Sequence, residues 1–314
     1  MHWLQCPSAP CISAADPPNL SARPLSTPPG LIVICGEALV DVIGDVRRPG
    51  GSPFNTARML GRLGVPVAFA GHLSDDADGR ELARLLASDG VRLDLVSTGP
   101  EPTTLAVARV GAGGEAEYEF FVEGTAAPQL ASPPSLPPDA GAICAGSLGL
   151  VLEPMATTIV ELVERERGRR PIVIDPNVRP GLIPDAEYRV RLIRMLRGCT
   201  IAKASDDDLA WLFEGLPYEA AAERLIDEGV SLVVVTLGAD GAFAAHRDLR
   251  VVVPAVKVDA VDTIGAGDAF GAGLLAWLHH RHLLATEIDL SEGELRDALT
   301  YACRMSATKL LGPV

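Results

Sequence analysis

Short apolar runs recur along this chain and alternate with stretches of helical period. LIVICG (31–36), VPVAFAG (65–71), AICAG (142–146), PIVID (171–175), CTIAKAS (199–205) and SLVVVTLG (231–238) are too short for core helices and read as buried strands. Between them lie FNTARMLGRLG, DGRELARLLASDG, MATTIVELVERERG and YEAAAERLIDEG, whose apolar residues fall at helical spacing. A strand that is apolar on both faces must be covered on both faces. The rhythm therefore predicts βαβ units, a parallel sheet and helices on either side of it.

Two departures from the rhythm matter. At 103–122, TTLAVARV and AEYEFFV alternate with period two around GAGGE, which predicts an antiparallel hairpin interrupting the core as a lid. Near the end, GAFAAH and RVVVPAV add two late strands, and a last helix is expected from about Ser291 to Lys309. The turn RRPGGSP enters the first helix, where Ser52 is placed to cap and Pro53 to occupy the first turn.

Composition removes several function classes. The 314 residues suit one large α/β domain. Acids outnumber bases by 41 to 27, for a net charge of −14, which opposes a nucleic-acid surface. The basic run RERGRR (165–170) reads as the solvated end of a helix before a strand. No apolar run reaches the roughly 20 residues that span a bilayer. Six cysteines without a CxxC pair are expected as reduced, buried thiols of a cytoplasmic protein. Residues 1–30, rich in proline and serine, lack the basic and apolar regions of a secretory signal and read as a flexible tail or an over-extended start. HHRH at 279–282 suits a helix C-terminus, where cationic side chains meet the dipole.

The stretch DTIGAGDAFGAGLLAWL (262–278) carries the chemistry. It matches neither the P-loop pattern nor the dinucleotide fingerprint, because its glycines are spaced G-x-G-x-x-x-G. What remains is a turn at Gly265, Ala266 and Gly267 leading into a helix, whose free N–H groups and dipole favour an anion. Asp268 lies just inside that first turn. By local sequence it reads equally as a dipole-favoured cap acid or as a base beside an anion hole, the pair that phosphoryl transfer to an alcohol requires.

GGSPFNTARMLGRLG and DTIGAGDAFGAG together resemble the ribokinase-like (PfkB) carbohydrate kinases, and DPNVRPGL (175–182), KASDDDLAWL (203–212) and VTLGADGA (235–242) match family segments in the same order. The resemblance covers about Leu31 to the end. It implies a three-layer α/β/α sandwich with a mostly parallel central sheet and a small β lid, the lid strands lying within about 41–50 and 103–122 of a kinase domain spanning 31–314. Asp268 would be the general base and Gly265, Ala266 and Gly267 the anion hole. Asp41, Gly50, Gly51, Asn55 and Arg179 would meet the sugar; on bland terms the glycines are an ordinary turn and Arg179 a surface arginine before Pro180.

The resemblance further places Lys203, Thr236, Leu237 and Gly238 near the nucleotide. Asp262 and the carbonyl of Ile264 would hold a potassium ion that orders the anion-hole turn, although Asp262 also reads as a strand-end turn acid. Asp208 would stand in the magnesium shell of ATP, but the family often has Asn where this chain has Ser205 and Glu where it has Asp208. After SATK the family adds a glycine turn and a strand, where this chain has LLGPV.

GGSPFN, DPNVRPGL and GTAA are closest to the fructokinase and 2-keto-3-deoxygluconate kinase branch. Fructose is the first expectation; Arg109 and Tyr118 in the lid leave the sugar acid open. The implied partners are a small sugar, ATP and a second copy of the chain joined through the lid, with no nucleic acid and no membrane. From other classes, a sensor without turnover is opposed by the intact GAGD turn, and a dinucleotide oxidoreductase by the missing fingerprint.

Overall fold

The computed structural model describes residues 30–110, 116–259 and 263–311. The expectations for residues 1–29 and for Asp262 lie outside the described residues, as do the side chains of Arg109 and Tyr118.

In chain order the strands are β1 (Leu31–Cys35), β2 (Leu39–Ile43), β3 (Val46–Gly50), β4 (Val67–Ser74), β5 (Arg92–Gly99), β6 (Leu105–Val110), β7 (Ala116–Phe121), β8 (Ala140–Gly146), β9 (Ile172–Asp175), β10 (Ile201–Ser205), β11 (Leu232–Thr236), β12 (Ala242–His246) and β13 (Leu249–Val253). The helices are α1 (Ser52–Arg62), α2 (Ala77–Ser88), α3 (Met155–Glu166), α4 (Asp185–Leu196), α5 (Asp206–Leu212), α6 (Tyr218–Asp227), α7 (Ala266–His280) and α8 (Glu292–Leu310).

Nine of these strands form one sheet in the order β13-β12-β11-β10-β9-β8-β1-β4-β5. From β5 to β11 neighbours are parallel, and β11, β12 and β13 pair antiparallel. The late strands differ from the rest because only a two-residue turn joins β12 to β13, too short to return the chain for parallel pairing. The sheet is covered on both faces, as its apolar strands demand. Val33 and Cys35 of β1 face a core shared with α3, α4, α5 and α6, whereas Ile32 and Ile34 face one shared with α1, α2, α7 and α8.

β1 lies inside the sheet, and the chain grows outward from it in both directions, through β4 and β5 on one side and β8 to β11 on the other. The reversal falls between β1 and β8, and a crevice opens at such a switch point beyond the carboxyl ends of the strands. A second sheet, β3-β2-β6-β7, carries the expected hairpin: β6 pairs antiparallel with β7, and β2 pairs parallel with β6. Sequence periodicity missed β5, an edge strand whose residues are mostly half-buried or exposed and which carries Arg92 and Asp94.

Phe69 on β4 is fully buried in the core beneath α1. Phe69→Ala is expected to lower the unfolding free energy in urea by about 3–5 kcal/mol, the range for a buried aromatic cut to alanine.

Candidate active site

A cavity of about 410 Å³ lies at the switch point, within the size range of small-ligand pockets. Glu37 follows β1, Ser147 follows β8, and Asn177 and Arg179 follow β9, while Lys203 comes from β10. Asp41 and Phe120 reach it from the small sheet, Ser52 and Asn55 from α1, and Ile264, Gly265, Gly267 and Asp268 from the start of α7. Residues distributed over the whole sequence thus line one crevice.

Asp268 is 8% exposed and both of its oxygens are held. The Ser52 hydroxyl donates to Oδ1 at 2.7 Å and the Asn55 amide to Oδ2 at 2.9 Å. Ser52 and Asn55 are three residues apart on α1 and so share a face. Ser52 is not the cap that its position suggests: Gly51 is, with φ of 102° and no side-chain cap bond. A Cβ on Gly51 would stand 2.8 Å from the Glu37 carbonyl oxygen, so the chain enters α1 through a glycine and the Ser52 side chain is left for Asp268.

The turn at Gly265 to Gly267 leads into α7. Gly265 caps α7 in the left-handed region at φ of 77°, without a side-chain cap bond, and Gly265 and Gly267 line the cavity. The Ala266 N–H instead turns back to the Thr263 carbonyl at 3.3 Å.

Asp41 pairs with Arg48 across β2 and β3, and its carboxylate lies over Gly50, where a Cβ would stand 2.0 Å from Oδ2, so that glycine makes room for it. Burial, and then the nearby Asp268, push the Asp41 carboxyl up to about 6, while Arg179 and Arg48 pull it back. Arg179 is steadied by its own backbone, donating from its guanidinium to the Val178 carbonyl and from its N–H to the Tyr188 hydroxyl.

Lys203 stands apart from the other expected nucleotide residues. Its ammonium donates to Asp175 Oδ2 at 2.7 Å, and it would lie 3.5 Å from a Cβ on Gly267, beside the turn into α7. Burial opposes its charge, but Asp175, Asp208 and Asp268 outweigh that and hold its pKa above the usual lysine value. Burial in turn pushes Asp175 up to about 6 against the pull of Lys203. Thr236 ends β11, Leu237 and Gly238 follow it, and none of the three lines this cavity; the Leu237 N–H closes a turn onto the Gly241 carbonyl at 2.9 Å. Asp208 lies in the capping box of α5, accepting from the Ser205 and Val178 N–H groups at 2.9 and 2.8 Å, and so ties the DPNVRP loop to β10.

HHRH binds backbone: the His279 and His280 rings meet the carbonyls of Gly30 and Leu63. No group of three or more metal-ligating side chains occurs among the described residues.

Glu37 and Asp175 went unread in the sequence, and Ser52 was misread. The available signal for the two acids was position, since each ends or follows an apolar strand at the sheet's carboxyl edge. Glu37 is 1% exposed, and burial pushes its carboxyl up to about 7. An acid whose folded pKa is raised binds more protons folded than unfolded, so stability falls as pH rises from its unfolded value to its folded one. Ionising Glu37 costs on the order of 3 kcal/mol, incurred between pH 4.5 and about 7. Glu37→Gln is therefore expected to flatten the decline in thermal midpoint between pH 5 and 8, which scanning calorimetry reads directly.

Comparison with known proteins gives a consistent picture. Residues 31–312 match the model of the pfkB family carbohydrate kinases. The chain is 38% identical to a fructokinase of Rhizobium leguminosarum bv. trifolii over 281 residues, covering 85% of this chain and 86% of the relative. It is 31% identical to fructokinase-2 of Solanum habrochaites, covering 88% and 89% of the two chains. Its fold is similar to that of a fructokinase double mutant from Vibrio cholerae O395 in a form bound to fructose, ADP and potassium ion, with a TM-score of 0.81, 26% identity and coverage of 92% and 94%. Aminoimidazole riboside kinase from Salmonella enterica, complexed with aminoimidazole riboside and an ATP analogue, superposes with a TM-score of 0.78 at 28% identity, covering 90% of this chain and 94% of that one.

Proposed function

The chain belongs to the pfkB family of carbohydrate kinases, and on that premise we propose that it is a fructokinase, transferring the γ-phosphoryl group of ATP to a hydroxyl of fructose. The observation that carries the reading is the buried carboxylate of Asp268, held at both oxygens and opening on the switch-point cavity beside the anion-hole turn. The similarity to fructokinases along most of the chain supports the choice of sugar.

In this mechanism the acceptor hydroxyl lies against Asp268 and gives up its proton to the carboxylate as its oxygen attacks the γ-phosphorus. The bond to the β–γ bridging oxygen breaks and ADP departs. Charge building on the transferring group meets the backbone at Gly265 to Gly267 and the cations of Lys203 and Arg179. Asp41 and Asn55 hold sugar hydroxyls, Gly50 and Gly51 let the backbone approach, and Phe120 closes the cavity from the lid. Thr236, Leu237 and Gly238 take the nucleotide beyond the end of β11.

Magnesium arrives with ATP. Asp208 already accepts a backbone N–H at each oxygen and Asp175 is paired with Lys203, a donor set that suits an ion carried by phosphate oxygens and water, with Asp208 behind its shell. Such an ion would supply charge neutralisation to the transferring group. Potassium is assigned to Asp262 and the Ile264 carbonyl, following the potassium-bound relative.

We place the kinase domain at 31–314, with residues 1–30 as a tail. Cytoplasmic localisation is supported by four described cysteines that are free and buried, as reducing conditions permit. No helix among the described residues is long and apolar enough to cross a membrane. A homodimer through the lid is supported by Val46 and Phe121, which expose half or nearly half their surface on the small sheet.

In a coupled ADP-release assay over a panel of sugars, fructose is expected to give the highest kcat/KM; silence with every sugar defeats the reading. Asp268→Asn is expected to lower kcat by at least about 10²-fold, the worth of a positioned base, while nucleotide still binds by calorimetry. Light scattering at assay concentration is expected to give twice the mass of one chain, and the monomer mass would remove the dimer.

A further inference from the structure

Glu37 is a buried carboxylate that accepts from neutral donors. The Gly149 N–H donates to Oε2 at 3.0 Å and the Ser52 N–H to Oε1 at 3.3 Å, and the Ser147 side chain pulls the carboxyl pKa down against burial. These donors belong to separate parts of the chain. Ser147 and Gly149 form the turn after β8, where Ser147 is held at φ of 53°, a left-handed conformation costly for a serine. Ser52 is the first residue of α1, and its hydroxyl holds Asp268 Oδ1. A continuous line of bonds thus runs from the end of β1, through the first residue of α1, to the carboxylate at the start of α7.

A carboxylate held by only one donor retains a swing about its Cβ–Cγ bond. Asn55 holds one oxygen of Asp268 and Ser52 the other, so the plane of the carboxylate depends on where Ser52 stands. Ser52 has no side-chain cap to hold it, because Gly51 occupies that position. What meets its backbone N–H is Glu37.

We infer that Glu37 and Ser52 act in series as positioning residues for Asp268, Glu37 fixing the start of α1 through the Ser52 N–H and Ser52 aiming the carboxylate through its hydroxyl. The inference rests on the reading of Asp268 as the base. Neither residue takes the proton. Their effect is on the orientation of Asp268, and so on kcat before sugar affinity.

The test is a double-mutant cycle on the full chain, with fructose and ATP as substrates. Ser52→Ala removes one bond to a charged group and is expected to lower kcat roughly 10- to 100-fold with a smaller change in sugar KM. Glu37→Gln keeps the shape, but its amide brings a donor against the Ser52 or the Gly149 N–H, and a roughly tenfold loss of kcat is expected. Because the two residues act along one line, the double variant should be no more than about threefold slower than the slower single.

Losses that multiply in the double variant would overturn the inference, since Glu37 would then act apart from Ser52; so would a wild-type kcat in Ser52→Ala. Thermal midpoints of all variants exclude unfolding as the cause. Should Glu37→Gln fail to fold, Glu37→Asp, which keeps the charge but falls one methylene short, closes the same cycle. An inactive wild type would instead indict the kinase reading, so the two failures are distinguishable.

Discussion

The site depends on one carboxylate shared between two helices from distant parts of the chain. Asp268 starts α7, and the groups that hold its oxygens, Ser52 and Asn55, lie on the first turn of α1. Both helices bed in the same core, α1 through Phe54, Ala57 and Leu60 and α7 through Phe270, Leu274 and Trp277. A close-packed interior permits little sliding, so the separation of the two helix starts is set by the core beneath them. Orientation of the Asp268 carboxylate is in this sense a consequence of how the sheet is covered.

Around that carboxylate the protein tolerates costly electrostatics. Glu37, Asp41 and Asp175 all have carboxyls pushed upward by burial, and Asp41 also by the nearness of Asp268. Arg179 and Lys203 offset this in part. A fold selected for stability alone has little reason to gather buried acids at one sheet edge. Such a cluster suits the proposed work of orienting hydroxyls, accepting a proton and meeting a phosphoryl group, and perturbed carboxyls gather at functional sites.

Much of the frame was legible in local pattern. Apolar strands such as LIVICG and SLVVVTLG imply cover on both faces, and the hairpin at 103–122 follows from its period-two alternation about a glycine turn. The α8 start was legible because Ser291 and Glu294 form a capping box that local sequence spells out. β5 was not, because an edge strand with charged residues lacks the apolar run that marks a central one. Ser52 was misread for a related reason: serine before proline is a good cap by propensity, and only the close approach of the Glu37 carbonyl moves the cap to Gly51. Lys203 was singled out by the family resemblance, but its place on Asp175, beside the turn at Gly265 to Gly267, required the pairing of β9 with β10.

By itself the sequence determined the layered α/β class, the hairpin lid, the glycine turn into α7 and the presence of Asp268 in its first turn, because strand cover, turn chemistry and helix starts are decided within a few residues. It also carried the family motifs that join the two ends of the chain. Only the tertiary structure decided that Ser52 meets Asp268, that Glu37 ties α1 to the turn after β8, and that Asp208 accepts from the Val178 N–H. Those contacts join residues up to 216 positions apart, and their geometry follows from strand order and helix packing, which no local pattern encodes.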